Sequence, residues 1–391
     1  MVLGSVETRT DSQGDFRIEG RGGQIGARAA GYRRAATSVE APAQSMRIAL
    51  QRFSPKALYL SGFGAASSRL REQALELIER TELNALVIDV KTDYGTTSYA
   101  SAVPLAEDIG AQQHAPIGDM RSLIGSLHTR GVYAIARIVT FKDEPLASAH
   151  PELAVKTLSG RLYIDREHLS WTDPFSPAVW EYNIAIAEEA AEIGFDEIQF
   201  DYVRFPDAPG LVFAKPNTRR NRVEAVGEFL RRARERLARF NVFIAADVFG
   251  YVCWNEGDTG VGQDLERIHE SVDYVSPMLY PSTFQLGIPD YRDPVAHPYE
   301  IVRLSLERAR QRTSLPPQRF RPWLQAFRDY AFDRRAFDGE EIRAQIKAAE
   351  DFGSDGWMLW NSRNVYSAEG LTPSAPPSRH ANRSVAGPAG G

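Results

Sequence analysis

The chain has 391 residues, 43% of them hydrophobic, with a formal net charge of −5, seven histidines and a single cysteine. That length allows one large domain of about 250 to 300 residues with a sizeable core, plus further segments. The scattered Lys and Arg residues argue against a nucleic-acid binder, and the lone Cys253 excludes an internal disulfide framework or a Cys-rich metal site. No run approaches 18 consecutive apolar residues, so no segment is expected to span a membrane.

In chain order, Thr10 to Ile18 reads as a turn leading into an alternating strand, Gln24 to Ala30 as a second strand and Met46 to Leu50 as a third. The order Asp11-x-x-Gly14-x-Phe16, then Ala29-Ala30-Gly31-Tyr32-Arg33, resembles the second half of a carboxypeptidase regulatory-like domain. Residues 1–53 are therefore expected to form a partial β-sandwich, with a disordered extension rich in Gly, Ala and Arg as the alternative. Met1 to Gly20 lacks the apolar core of a secretory signal, and the twin Arg33-Arg34 has none behind it. Two placements follow: a cytoplasmic chain, or a start inside a longer precursor with an extracytoplasmic product.

From residue 54 to 370 short apolar runs alternate with amphipathic ones. The predicted strands are Ala57 to Ser61, Ala85 to Val90, Val132 to Val139, Glu197 to Asp201, Val242 to Val248, Tyr274 to Met278, Phe320 to Leu324 and Gly356 to Trp360. Helical periodicity separates most of them, as in Ser68 to Arg80, Ala178 to Ile193, Arg222 to Phe240 and Gly339 to Phe352. Eight such units predict an α/β fold, a (β/α)₈ TIM barrel behind a short N-terminal β segment. A doubly wound open sheet is disfavoured, because no G-x-G-x-x-G loop follows the first strand. From about Pro373 onward Ser, Pro, Ala and Gly dominate, so residues 371–391 are expected to be a disordered tail.

In such a barrel the residues just past each strand face one mouth. Those residues are Asp89, Lys91, Asp93 and Tyr94 after the second strand, Lys142, Asp143 and Glu144 after the third, and Asp201, Tyr202 and Arg204 at the fourth. Asp247, Tyr251 and Trp254 follow the fifth, Tyr280 the sixth, Gln325 the seventh, and Trp360, Asn361 and Arg363 the eighth. Carboxylates, planar polar groups and aromatic faces together suit a carbohydrate: rings stack on the apolar face of a sugar, and two carboxyl groups divide the acid and nucleophile or base roles.

At these residues the chain resembles the glycosyl hydrolase barrels of the DUF4015 family. The matching stretches are Leu58-Tyr59-Leu60-Ser61, Val87-Ile88-Asp89-Val90-Lys91, Ala136-Arg137-Ile138-Val139, Phe200-Asp201-Tyr202-Val203-Arg204-Phe205-Pro206, Ala246-Asp247-Val248-Phe249-Gly250 and Ser276-Pro277-Met278-Leu279-Tyr280-Pro281-Ser282. The resemblance covers roughly residues 56 to 366 and implies a hydrolase of O-glycosidic bonds in a poly- or oligosaccharide.

Asp201 and Asp247 end neighbouring strands whose axes lie about 5 Å apart, so their side chains can converge. Retaining glycosidases separate the two carboxyl groups by about 5 to 5.5 Å and inverting ones by roughly 6.5 to 9.5 Å, and neighbouring strands accommodate either. Asp201 is expected to be the nucleophile, kept ionised by Arg204 with Tyr202 nearby, and Asp247 the acid/base, with its proton retained by the flanking Val248 and Phe249. The pattern resembles that of α-amylase-like barrels, which usually carry Glu where Asp247 stands. Asp89, Lys91, Tyr94, Tyr202, Arg204, Tyr251, Trp254, Tyr280, Gln325, Trp360 and Asn361 are expected to contact substrate.

Structural readings stand beside these. Asp89 and Lys91 could form an ion pair across the mouth, Lys142-Asp143-Glu144 reads as a solvated charge run before Pro145, and Trp254 and Trp360 could equally be packing residues. The seven histidines show no H-x-H or H-E-x-x-H spacing, so no metal is expected, and neither is any other cofactor. Gly-x-Ser-x-Gly is absent. The arginines from Arg219 to Arg236 interleave with Glu224, Glu228 and Glu235, as on a helix laced with ion pairs. The rival reading from another class is a cell-envelope barrel that binds glycans without cleaving them.

Overall fold

A computed structural model of the chain describes residues 1–20, 22–40 and 45–374. Eight parallel strands close into a barrel: β5 (Lys56–Leu60), β6 (Ala85–Lys91), β7 (Tyr133–Val139), β9 (Glu197–Asp201), β11 (Phe243–Phe249), β12 (Tyr274–Met278), β13 (Trp323–Gln325) and β14 (Trp357–Trp360). β14 pairs with β5, joining the last strand to the first, while the short strands β8 (Lys156–Thr157) and β10 (Leu211–Val212) pair with each other in a separate two-stranded sheet. The expected (β/α)₈ architecture is the one observed, with each predicted strand shifted by three residues at most.

The outer ring is built by α2 (Ser68–Arg80), α4 (Met120–Thr129), α6 (Pro177–Ile193), α7 (Arg219–Leu237), α9 (Pro298–Thr313) and α10 (Gly339–Phe352), with the short helices α1 (Gly62–Ala66), α3 (Pro104–Asp108), α5 (Glu144–Ala149) and α8 (Leu265–Ile268) between them. Local chemistry sets their ends. The Ser67 and Asp119 side chains accept from backbone N–H groups in the first turns of α2 and α4, and Gly194 (φ 122°) and Gly353 (φ 86°) end α6 and α10 in backbone conformations that side chains disfavour.

β9 shows how the barrel is filled. Ile198 and Phe200 face outward and join the core between strands and helices, while Glu197, Gln199 and Asp201 face inward, one above another. At the bottom Glu197 is bonded by Arg321 at 2.6 and 2.7 Å, in the middle Gln199 donates to Asp247 at 2.6 Å, and at the top Asp201 meets Arg137 at 2.6 Å. A wholly polar inner row is tolerable because each member has a partner.

The N-terminal strands are β1 (Val2–Leu3), β2 (Val6–Glu7), β3 (Gly23–Ala27) and β4 (Ala35–Val39), antiparallel in the order β2-β1-β3-β4. β3 overlaps the strand expected at Gln24 to Ala30. Phe16 to Ile18 and Met46 to Leu50 form no strand. The Asp11 carboxylate takes the N–H groups of Gln13 and Asp15, folding residues 11–15 into a loop rather than a ladder. This segment leans on the lower end of the barrel: Gly31 N–H meets the Asp355 carboxylate at 3.1 Å, Ser54 donates to the same carboxylate at 2.7 Å, and Phe53 packs on Tyr133.

At the other terminus, residues 371–374, expected to open a disordered tail, are held against the barrel. Thr372 N–H bonds Glu82 and Ser374 N–H bonds the Arg80 carbonyl, both at 2.9 Å. The rest of that stretch, from 375, lies outside the described residues. No helix among the described residues is long and apolar enough to cross a membrane.

Candidate active site

A cavity of about 680 Å³ opens at the C-terminal ends of the strands. Asp201, Arg137, Trp360, Trp323, Tyr280 and Met278 face it from the barrel, and Tyr202, Arg204, Phe327, Tyr330, Asn361 and Arg363 face it from the loops above.

Arg137 organises the floor. Its Nε and Nη2 both donate to Asp201 Oδ2, at 2.9 and 2.6 Å, and its Nη1 donates to Asp89 Oδ1 at 2.7 Å. Asp89 Oδ2 accepts from the Tyr59 hydroxyl at 2.6 Å. Tyr59 stacks on Trp360 with ring centroids 3.9 Å apart, and the Arg137 guanidinium lies 4.9 Å from the centre of the Trp360 ring. One cation thus bridges two buried carboxylates and supports an aromatic ring.

Asp201 Oδ1 accepts from the N–H of Tyr202 at 2.6 Å. Tyr202 has φ 48°, a left-handed conformation uncommon outside glycine, and this turns its amide toward the carboxylate. The same turn sends Arg204 elsewhere. Its Nη1 donates to the Phe205 carbonyl at 3.0 Å, and its guanidinium lies over Trp171, Phe249 and Tyr202. Arg204 is therefore not the ion-pair partner of Asp201 that the sequence suggested; Arg137 on the neighbouring strand is.

Asp247 occupies the position on β11 that follows the Ala246–Phe200 pair, directly beside Asp201. Its Oδ1 accepts from Gln199 Nε2 at 2.6 Å and Trp323 Nε1 at 2.8 Å, while Oδ2 has no partner among the described residues. Burial, and then the charge of Asp201, push its carboxyl well above the usual carboxylate range. The upward direction is the one expected from its apolar flanks, and its causes include a like charge as well as burial. Asp247 is 1% exposed and lies just beneath the cavity floor rather than on it.

Of the residues expected to contact substrate, Tyr202, Arg204, Tyr280, Trp360 and Asn361 line the cavity. The rest do not. Asp89 lies under Arg137. Lys91 is wholly buried on the outside of the barrel, where its Nζ meets Asp143 at 2.6 Å, the Asn183 side chain at 2.9 Å and the Val139 carbonyl at 3.0 Å. A β-bulge between Asp89 and Lys91 causes this, because two residues that alternation would put on one face end on opposite faces. Tyr94 sits on an exposed turn away from the cavity. Tyr251 is engaged by Leu286 N–H and the Gly287 carbonyl, and Trp254 donates to Ser305, so Tyr251 packs a neighbouring loop and Trp254 packs on α9. The Gln325 side chain is consumed by Ser282 and the Phe327 carbonyl, leaving its amide closed to a ligand.

Lys142 and Asp143 are not the solvated charge run that was expected. Lys142 is ion-paired with Asp165 and Glu167, and Asp143 pairs with Lys91 while capping the helix Glu144–Ala149. The arginine-rich α7 does carry the expected ion pairs, with Arg231 and Arg232 both on Glu228. Among the described residues no group of three or more His, Cys, Asp or Glu side chains is arranged to hold a metal ion. Cys253 is buried, its thiol pushed up to about 12.

The family model described as "Putative glycosyl hydrolase domain", DUF4015, matches residues 57–366. Among solved structures, a hypothetical protein from Ruminiclostridium thermocellum ATCC 27405 is 41% identical over 49% of this chain and 97% of that one, with a TM-score of 0.45. The PgaB (BpsB) glycoside hydrolase domain from Bordetella bronchiseptica is 16% identical over 80% and 95%, with a TM-score of 0.58. A β-galactosidase from the psychrophilic Marinomonas ef1 is 12% identical over 78% and 54%, with a TM-score of 0.57. The last two show a shared barrel fold. No curated protein matches the chain in sequence.

Proposed function

The chain belongs to the DUF4015 glycosyl hydrolase domain family, and from that premise we propose that it cleaves O-glycosidic bonds of a poly- or oligosaccharide at the Asp201–Asp247 pair. The observation that carries this reading is the contrast between the two groups. On adjacent strands, one carboxylate is ion-paired and open to the cavity, and the next is buried with its pKa raised and one oxygen free. A carboxylate open to the cavity beside a buried carboxyl whose pKa is raised is what acid–nucleophile and acid–base division requires.

In this mechanism Asp201 meets the anomeric carbon, or the water that attacks it, and Asp247 is the source of the proton that the departing glycosidic oxygen takes up. Tyr202, Arg204, Tyr280, Trp360 and Asn361 contact the sugar, with Trp360 as the stacking face at the floor. The residues named need no cofactor for these steps.

A second reading, a barrel that holds a glycan without cleaving it, is favoured by one observation: Asp247 lies beneath the floor rather than on it. Asp201→Asn and Asp247→Asn, each assayed by reducing-sugar release on a broad glycan panel, separate the two. Hydrolysis by the wild type that is lost in both variants supports the enzyme. Binding that persists in both, with no hydrolysis by the wild type on any glycan, leaves the binding barrel.

A further inference from the structure

The two carboxylates on the cavity wall are each ion-paired, Asp201 to Arg137 and Glu167 to Lys142, and each of these cations is shared with a second carboxylate, Asp89 and Asp165. Three of the cavity's four arginines are not matched: Arg204, Arg328 and Arg363 form no ion pair among the described residues. The residues that line the mouth thus include four arginines against two carboxylates, on a chain whose net charge is −5. Low-dielectric walls concentrate such a local field.

Arg204 is the most telling of the three. It is half-buried, its guanidinium lies 4.5 Å from the centre of the Phe249 ring, 4.7 Å from that of Trp171 and 5.0 Å from that of Tyr202, and only Nη1 has a described acceptor. Desolvation pushes its pKa below the usual guanidinium value. An aromatic enclosure removes much of the water from the cation, and one carbonyl does not replace it. Nε and Nη2 keep their donors in a planar fork suited to a carboxylate, sulfate or phosphate, whereas a sugar hydroxyl accepts a bond without cancelling the charge. Arg328, held by the Arg334 carbonyl at 2.7 Å, and Arg363 stand exposed at the rim.

Resting on the reading that this cavity receives a glycan, we infer that the glycan is acidic, with an anionic substituent bound by Arg204 and a further anionic residue steered by Arg328 and Arg363.

The test is a titration of the full chain, as wild type and as Asp201→Asn to suppress turnover. The probes are oligogalacturonate (carboxylate), heparin-derived oligosaccharides (sulfate), carboxyl-reduced oligogalacturonate and chitohexaose. At least one acidic probe is expected to bind about tenfold or more tightly than the neutral ones, with affinity falling as salt rises. Arg204→Gln is expected to weaken that binding about tenfold, and the exposed pair Arg328→Gln/Arg363→Gln several-fold. The double variant keeps the test sound if Arg204→Gln fails to fold. Equal binding of neutral probes, acidic binding indifferent to all three arginines, or no binding of any acidic probe would overturn the inference. Arginine-dependent acidic binding without cleavage sinks only the hydrolase reading. Cleavage of a neutral glycan that depends on Asp201 and ignores the three arginines sinks only the acidic substrate.

Discussion

Arg137 places two of its nitrogens on a single oxygen of Asp201, leaving the other oxygen to the Tyr202 amide, so the carboxylate is held in one orientation from two sides. Its remaining nitrogen holds Asp89. Arg137→Met leaves two buried carboxylates without their cation and is expected to cost about 3 to 5 kcal/mol or prevent folding, whereas Arg137→Lys keeps the charge and loses the fork. Thermal unfolding of both variants measures this. A methionine variant as stable as the wild type would contradict the central place given to this ion pair.

Asp247 connects stability to pH. Its folded-state pKa is raised above the ordinary 3.8, so above that pH the folded chain holds a proton that the unfolded chain has released. Its contribution is fully present below the ordinary value and is lost as pH rises through the folded value. Asp247→Asn is expected to flatten this fall without destabilising the chain near neutral pH, while hydrolysis drops by about 10² or more. Denaturant titrations from about pH 4 to pH 8 provide the check; an unchanged pH slope in the variant would show that the proton is not held there.

Tyr330 is 48% exposed at the cavity rim and stacks on Phe327 at a centroid distance of 6.2 Å. As a sugar platform it contributes binding rather than chemistry. Tyr330→Ala is expected to raise KM several-fold, corresponding to about 1 kcal/mol, with little change in kcat or Tm. A fall in kcat at constant KM would point to a different role.

Lys91 faces away from the mouth, into a pocket shared with Asp143 and Asn183. Lys91→Met alone is expected to destabilise by about 3 to 5 kcal/mol, and Lys91→Met with Asp143→Leu to recover a large part. KM should remain unchanged wherever the variants fold. A selective change in KM would restore Lys91 as a substrate contact.

The strand and helix alternation made the barrel legible, because buried parallel strands read as short apolar runs between amphipathic ones. Asp201 and Asp247 could be placed side by side for the same reason. The pairing of Arg137 with Asp201 was not legible, since it joins residues 64 positions apart and periodicity gives no side-chain partner. Lys91 was misplaced by a single bulge, which ordinary alternation cannot anticipate. Arg204 was misjudged because proximity in sequence says nothing of a left-handed residue between it and Asp201. Gln199 was read only as part of a strand, although a polar residue at the inward position between two others was a usable signal.

The Tyr59–Trp360 stack brings together side chains 301 positions apart, one from the first barrel strand and one from the last. The floor on which a sugar would rest is therefore the weld of the barrel, completed only when the final strand docks beside the first. Contacts of such sequence separation carry a large loop-closure cost. A nascent chain halted after residue 300, or one clipped before Trp360, carries Asp201 and Asp247 yet lacks this floor, so the proposed hydrolysis needs the last quarter of the polypeptide as much as its carboxylates.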